Sequence, residues 1–169
     1  MLTGPQCYSH PNQIFITHTH GDHIACLPLT LIGAHELPDK THIHAPAAAQ
    51  KHIVNYINAL FEASAMMPMD ELLADQEDSS YLYHGYEEPT TFRTTCNKTL
   101  LEVSVLLCDH SIPTISYCFS EVKTKLKAEH RGLAGKQIAQ LRREGAEVTE
   151  EVLKPCFAYI CDTSIAVLS

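Results

Sequence analysis

The run Gln13-Ile14-Phe15-Ile16-Thr17-His18-Thr19-His20-Gly21-Asp22-His23-Ile24 decides how this chain is read. Apolar Ile14, Phe15 and Ile16 between Gln13 and Thr17 form a short β-prone run that stops at a histidine-rich segment. His18 and His20 are two apart, a spacing that turns both side chains to one side of an extended segment. A zinc-binding helix would space them four apart instead. Gly21 permits a sharp turn. Asp22 and His23 then fall near the start of a following helix, with Ile24 to Ile32 read as a buried helix or helix start. Three imidazoles and one carboxylate in so short a loop suit Zn²⁺ and related divalent ions. They exceed one ion's share from a single loop, so a binuclear site is the natural reading. Singly, each residue has an ordinary alternative, such as a helix cap for Asp22 or a surface imidazole. The ordered set His-x-His-x-Asp-His after an apolar strand is a far more specific signal.

Outward from this loop the pattern repeats as strand then helix. Thr41-His42-Ile43-His44-Ala45 alternates like a strand. Pro46 suits a helix start, and Ala47 to Phe61 sets Ile53, Ile57 and Leu60 at helical spacing. From Ala63 to Pro89 no clean period emerges, so irregular structure or a short helix is expected there. Thr99 to Leu107 and Thr114 to Ser120 read as strands. Ala134 to Glu144 reads as a helix with Ile138 and Leu141 inward and Gly145 as its stop, and Cys156 to Cys161 as an apolar strand. Strands alternating with helices indicate an α/β layered domain, whose ligands gather at strand ends. No repeat or linker divides the chain, so residues 1–169 are expected to form a single domain.

The 169 residues are 45% hydrophobic, enough for one real core. No apolar stretch approaches the roughly 20 residues a membrane span requires, and no leader pattern opens the chain. A membrane location is therefore not expected. The seven cysteines are odd in number and contain no C-x-x-C pair, and several lie in apolar runs. They read as buried, reduced thiols in the cytoplasm or another intracellular reducing compartment, organelles included. A formal charge of −8 argues against nonspecific coating of nucleic acid. The charge is uneven, however. Lys123, Lys125, Lys127, Arg131, Lys136, Arg142 and Arg143 form a basic segment, read either as a solvated helix face or as a phosphate-contacting one. Asp70, Glu71, Asp75, Glu77 and Asp78 form an acidic cluster.

The run from Ile14 to Ile24 resembles the signature loop of the metallo-β-lactamase superfamily, and the continuation Leu27-Pro28 resembles its ribonuclease Z branch. Similar stretches are Asp109-His110-Ser111 with the Tyr-containing strand to Glu121, Arg131-Gly132-Leu133, Lys136-Gln137-Ile138, and Ala158-Tyr159-Ile160-Cys161-Asp162-Thr163. The resemblance implies an αββα sandwich. It also implies two divalent metal ions, zinc first with manganese or iron as alternatives. In that pattern His18, His20 and His110 hold one ion, Asp22 and His23 hold the other, and Asp162 bridges them. As residues alone, His110 also reads as a loop histidine and Asp162 as a turn cap. The remaining histidines, His10, His35, His42, His44, His52, His84 and His130, match no motif and are read as structural.

The implied activity is cleavage of precursor transfer RNA at its 3′ side by a metal-activated hydroxide, with Asp22 also serving as the catalytic proton carrier. Against the family pattern, the fold is expected to be incomplete at both ends. The opening strands and the last histidine of the second metal have no counterpart, and Ala25-Cys26 stands where a small residue and glycine are usual. A homodimer or a partner chain would then complete the domain. Two alternatives follow: a hydrolase of small phosphodiesters or esters on the same fold, and a non-catalytic truncated paralogue or subunit.

Overall fold

Apolar residues at alternating positions build the first sheet, in a computed structural model that describes residues 11–32, 40–63, 81–96 and 98–164. Strand β1 (Gln13–Phe15) pairs in parallel with β2 (Thr41–Pro46), and β2 pairs in parallel with β3 (Tyr81–Tyr86). One face of β1 and β2 carries Ile14, Ile43 and Ala45, and Ile16 just after β1 joins them. These pack with Leu27 and Leu31 from helix α2 (Leu27–Ile32) and with Ile53 and Ile57 from helix α3 (Gln50–Ala63). Leu31, Ile43, Ile53 and Ile57 are fully buried, and each contributes about 2 kcal/mol of transfer free energy. Truncating Ile53 to alanine would add a cavity cost to that loss.

The opposite face of the same sheet carries Gln13 and Phe15, His42 and His44, and His84 and Tyr86. The strand pleat sends alternate residues to opposite sides, so the parallel registers His44 with His84 and Phe15 with His44 bring these rings into rows. Gly85 on β3 meets the turn that enters α3, where a Cβ would lie 2.9 Å from the Ala47 Cα. Any larger residue there would push apart two packed backbones.

The described chain divides into two compact units. One holds the parallel sheet, Val105–Ser116 and the described parts of Met1–Pro89 and Ile160–Ser169; the other holds Thr90–Ser104 and Tyr117–Tyr159. A second sheet has the order β4 (Thr90–Cys96), β5 (Thr99–Cys108), β6 (Thr114–Leu126) and β7 (Thr149–Tyr159). β6 and β7 are antiparallel, with a register irregularity between Phe119 and Ser120. Phe119 stacks on Phe157 with centroids 4.3 Å apart. Between β6 and β7 along the chain comes helix α4 (Gly135–Arg143), followed by Gly145 at φ +84°, a left-handed conformation that suits glycine after a helix.

The mixed α/β class is the one expected, and most elements fall where they were read. Four differences have physical causes. Ile24 to Ile32 is not one buried helix: a four-residue α1 (Gly21–Ile24) precedes α2, and Leu29 is exposed. Pro28 has no N–H to offer the carbonyl of Ile24, so the two turns cannot fuse. β3 lies in the stretch read as irregular, because its Tyr and His side chains are partly buried on both faces and show no apolar–polar alternation. β4 is Thr-rich and mostly exposed, which hid it similarly. The six described cysteines are free thiols, and none is buried. Cys26, Cys96 and Cys156 are exposed because the α1–α2 turn, the end of β4 and most of β7 lie open to solvent. The acidic cluster at residues 70–78, Cys7, His10 and His35 lie outside the described residues. Among those described, no helix is long and apolar enough to cross a membrane.

Candidate metal centre

Beyond β1 the chain bends at Thr17 and reaches His20, whose extended φ of −62° and ψ of 145° precede the first turn of α1. The side chains of His18 and His20 meet on one side of it. His18 Nε2 lies 3.1 Å from His20 Nδ1, and the rings meet edge to face at 4.7 Å. The backbone here is pinned on two sides, by Ile16 N–H donating to His44 O at 2.8 Å and Ile115 N–H donating to Thr17 O at 2.9 Å.

His110 arrives from the loop after β5, 90 residues along the chain, and its Nε2 lies 3.3 Å from His20 Nδ1. Asp162 follows β7 on a segment tied to that same loop. Ser164 N–H donates to Asp109 O at 3.0 Å, and the Thr163 hydroxyl donates to it at 3.3 Å. Asp162 Oδ2 thereby sits 3.8 Å from His18 Nε2 and 3.6 Å from His23 Nε2, facing both. His23 Nε2 is also 3.4 Å from Asp22 Oδ2. All six residues read as ligands lie in one compact unit.

These donors fit a small divalent cation. Zinc–nitrogen bonds of about 2.05 Å at tetrahedral angles separate neighbouring nitrogens by about 3.3 Å, close to the 3.1 and 3.3 Å found between the imidazoles. His18, His20, His110 and Asp162 each offer a donor atom within 4.8 Å of the others. His18 is fully buried, and Thr17 Oγ1 lies 3.0 Å from its Nδ1. With the proton on Nδ1 donated to that hydroxyl, Nε2 keeps its lone pair for a cation. Burial, then the neighbouring His23, His20 and His110, hold the His18 imidazole below its usual pKa, with Asp162 opposing. The ring is thus neutral and able to coordinate near pH 7.

Asp22 and Asp162 are exposed, so the cluster is open to solvent on its acidic side. A separate cavity of about 430 Å³ in the same unit is lined by Pro46, Ala47, Tyr86, Leu107, Cys108 and Thr114, among others, and by none of the six candidate ligands. One residue not singled out from sequence stands in the cluster. Cys161 Sγ is 3.4 Å from His23 Nδ1, and His18, His23 and Cys161 form a second group of donors within 4.8 Å. No spacing pattern flags it, since a cysteine beside an aspartate faces the other way wherever the strand remains regular.

No family model matches the chain. Among characterised proteins, nuclear ribonuclease Z of Triticum aestivum is 30% identical over 141 residues, covering 82% of this chain and 72% of that one. Arabidopsis thaliana tRNase Z TRZ1 is 29% identical over 153 residues, covering 89% of this chain and 49% of the relative. The chloroplastic tRNase Z TRZ2 of the same plant is 28% identical over 153 residues, or 39% of its length. The chain thus spans about half or less of the two Arabidopsis relatives. A crystal structure of human tRNase Z, short form, is similar at 17% identity over 88% of this chain and 50% of that one, with a TM-score of 0.40, too low to bear on the fold.

Proposed function

Because the chain belongs to the ribonuclease Z family of metallo-β-lactamase hydrolases, we propose that it is a metal-dependent endoribonuclease that cuts precursor transfer RNA at its 3′ side. What supports this most is the convergence of three imidazoles with a carboxylate, Asp162, that faces both His18 and His23. In this reading residues 1–169 act as a single metallo-β-lactamase-like domain. His18, His20 and His110 hold one cation, Asp22 and His23 hold the second, and Asp162 is shared. Zinc suits the imidazole-rich first position, with manganese or iron as alternatives.

When bound, such cations lower the pKa of water and offset negative charge on a phosphodiester. The chain's own residues do the rest. Thr17 holds the orientation of His18, and the Asp109 carbonyl holds the segment that carries Asp162. Asp22, exposed and beside His23, is available to pass a proton to the leaving oxygen. In the basic segment Lys123, Lys127 and Arg131 are paired with Glu121, Glu147 and Glu150. Exposed Lys125, Lys136, Arg142 and Arg143 are the better candidates for phosphate contacts, and their contribution would weaken with added salt. Free thiols suit a reducing compartment, the cytoplasm or an organelle.

The test is cleavage of a precursor transfer RNA bearing a 3′ trailer, with the divalent ion varied and Asp22→Ala as comparison. The wild-type chain should cut at the 3′ side, and Asp22→Ala should be slower by about 100-fold or more. Equal rates for the two would overturn the role of Asp22. Hydrolysis of a small chromogenic phosphodiester without RNA cleavage would overturn the substrate assignment in favour of the small-ester hydrolase.

A further inference from the structure

Cys161 lies outside the ligand set implied by the family, yet its Sγ is 3.4 Å from His23 Nδ1 and 4.0 Å from Asp162 Oδ1. We propose that Cys161 is itself a metal ligand, its thiolate joining the Nδ1 edge of His23 in a nitrogen–sulfur pair beside the three-histidine position. The proposal rests on reading the cluster as a metal centre and adds a donor that changes which metals it prefers.

Spacing is the first argument. A tetrahedral zinc with bonds of about 2.3 Å to sulfur and about 2.05 Å to nitrogen separates those atoms by about 3.6 Å, against 3.4 Å here. Orientation is the second. The two nitrogens of His23 face different chemistry, Nε2 toward Asp22 and Asp162 and Nδ1 toward the sulfur. An ion on the Nδ1 edge therefore gains a soft donor that the carboxylate edge lacks.

Selectivity within the chain is the third. Of the six described cysteines, Cys161 alone joins a donor group; Cys108 faces the Ser116 hydroxyl at 2.8 Å, and Cys156 faces the Lys154 carbonyl at 3.5 Å. The backbone that follows Cys161 is held by the Ser164–Asp109 hydrogen bond, so the thiol is presented by a fixed segment. On coordination the thiol proton passes to solvent, and the sulfur favours zinc over manganese or magnesium.

Cobalt(II), titrated into the metal-free full chain, reads this directly. A thiolate on cobalt produces an intense sulfur-to-metal charge-transfer band in the near ultraviolet, whereas nitrogen and oxygen ligands produce only the weaker visible ligand-field bands. The wild-type chain should show both. Cys161→Ser should lose the charge-transfer band and keep the visible ones, while Cys26→Ser should keep both.

Visible bands without charge transfer in the wild type would overturn the proposal and leave the metal centre standing, with the thiol only hydrogen-bonded to His23. Charge transfer surviving in Cys161→Ser would overturn it as well. No cobalt bound at all would overturn the proposal together with the metal-centre reading. A second measurement avoids any variant: zinc should slow alkylation of Cys161 at least about tenfold while leaving exposed Cys26 and Cys156 unaffected. Unprotected Cys161 in zinc-loaded protein would refute it.

Discussion

The first compact unit carries two gatherings of histidine that share a composition and differ in what their nitrogens face. On the sheet, His42, His44 and His84 lie in nearly parallel stacks, with His42 and His84 at 5.1 Å and 1°, and His44 and His84 at 4.8 Å and 15°. The register sets His44 beside His84 on one face of the sheet, with His42 next to them on the same face. Their nitrogens are occupied within the row: His42 Nδ1 with His84 Nε2 at 2.8 Å, His44 Nδ1 with the Tyr86 hydroxyl at 2.7 Å, and His44 Nε2 with Gln13 Oε1 at 2.7 Å. At the loop, His18 and His20 of one segment and His110 of another meet edge to face, and their nitrogens converge beside carboxylates. Among the described residues only the loop set forms groups able to hold an ion. Convergence with an acid, rather than the number of imidazoles, separates the two.

The sharpest way to break this contrast is Asp162→Ala, which removes a carboxylate that faces both His18 and His23. Losing an outer-shell partner costs roughly 10- to 100-fold in metal affinity, so loss of this residue should cost about 1,000-fold or more. Elemental analysis should find the metal-to-protein ratio falling from near two to below one. The same measurement on His44→Ala should find no change, and a ratio that falls equally in both variants would erase the distinction.

Next in size is the effect of His44→Ala on folding. It removes the hydrogen bonds of His44 with Gln13 Oε1 and the Tyr86 hydroxyl, and the ring stacked on Phe15 at 4.8 Å. Urea denaturation should show a loss of about 3 kcal/mol. A loss below about 1 kcal/mol would mean the row is decoration on a sheet held by its other face.

The smallest effect is the most diagnostic. Burial, then His84 and His42, push His44 down to about 3. An unfolded imidazole titrates near 6.5, so between these values the unfolded chain binds the extra proton. Stability from this group is therefore complete above about pH 6.5 and declines as pH falls toward 3, by about 2 kcal/mol between pH 7 and 5. Urea midpoints across that interval should slope in the wild type and flatten in His44→Gln. An unaltered slope would assign the acid sensitivity to other groups, the metal-free His18 first among them, since its pKa is lowered too.

Local patterns made much of this legible in advance. The order His-x-His-x-Asp-His marked a loop rich in potential metal donors because neighbours in a turn are near one another whatever the fold. Ile53 and Ile57 marked the buried face of α3, and Gly145 the end of α4, for the same local reason. β3 escaped because a strand partly buried on both sides has no alternation to read. The cysteines were misjudged because an apolar neighbourhood in sequence does not reveal which edge of a sheet faces solvent. His110 and Asp162 were reached through family likeness, since no local spacing joins residues so far along the chain from the loop.

Sequence alone thus determined which residues could bind a metal and which segments could pack, both of which depend on neighbours along the chain. Only the tertiary structure decided which donors meet. The turn after β7 and its hydrogen bonds to Asp109 bring Asp162 and Cys161 to His23, and a contact between chain-distant segments exists only once strands and loops have closed around it.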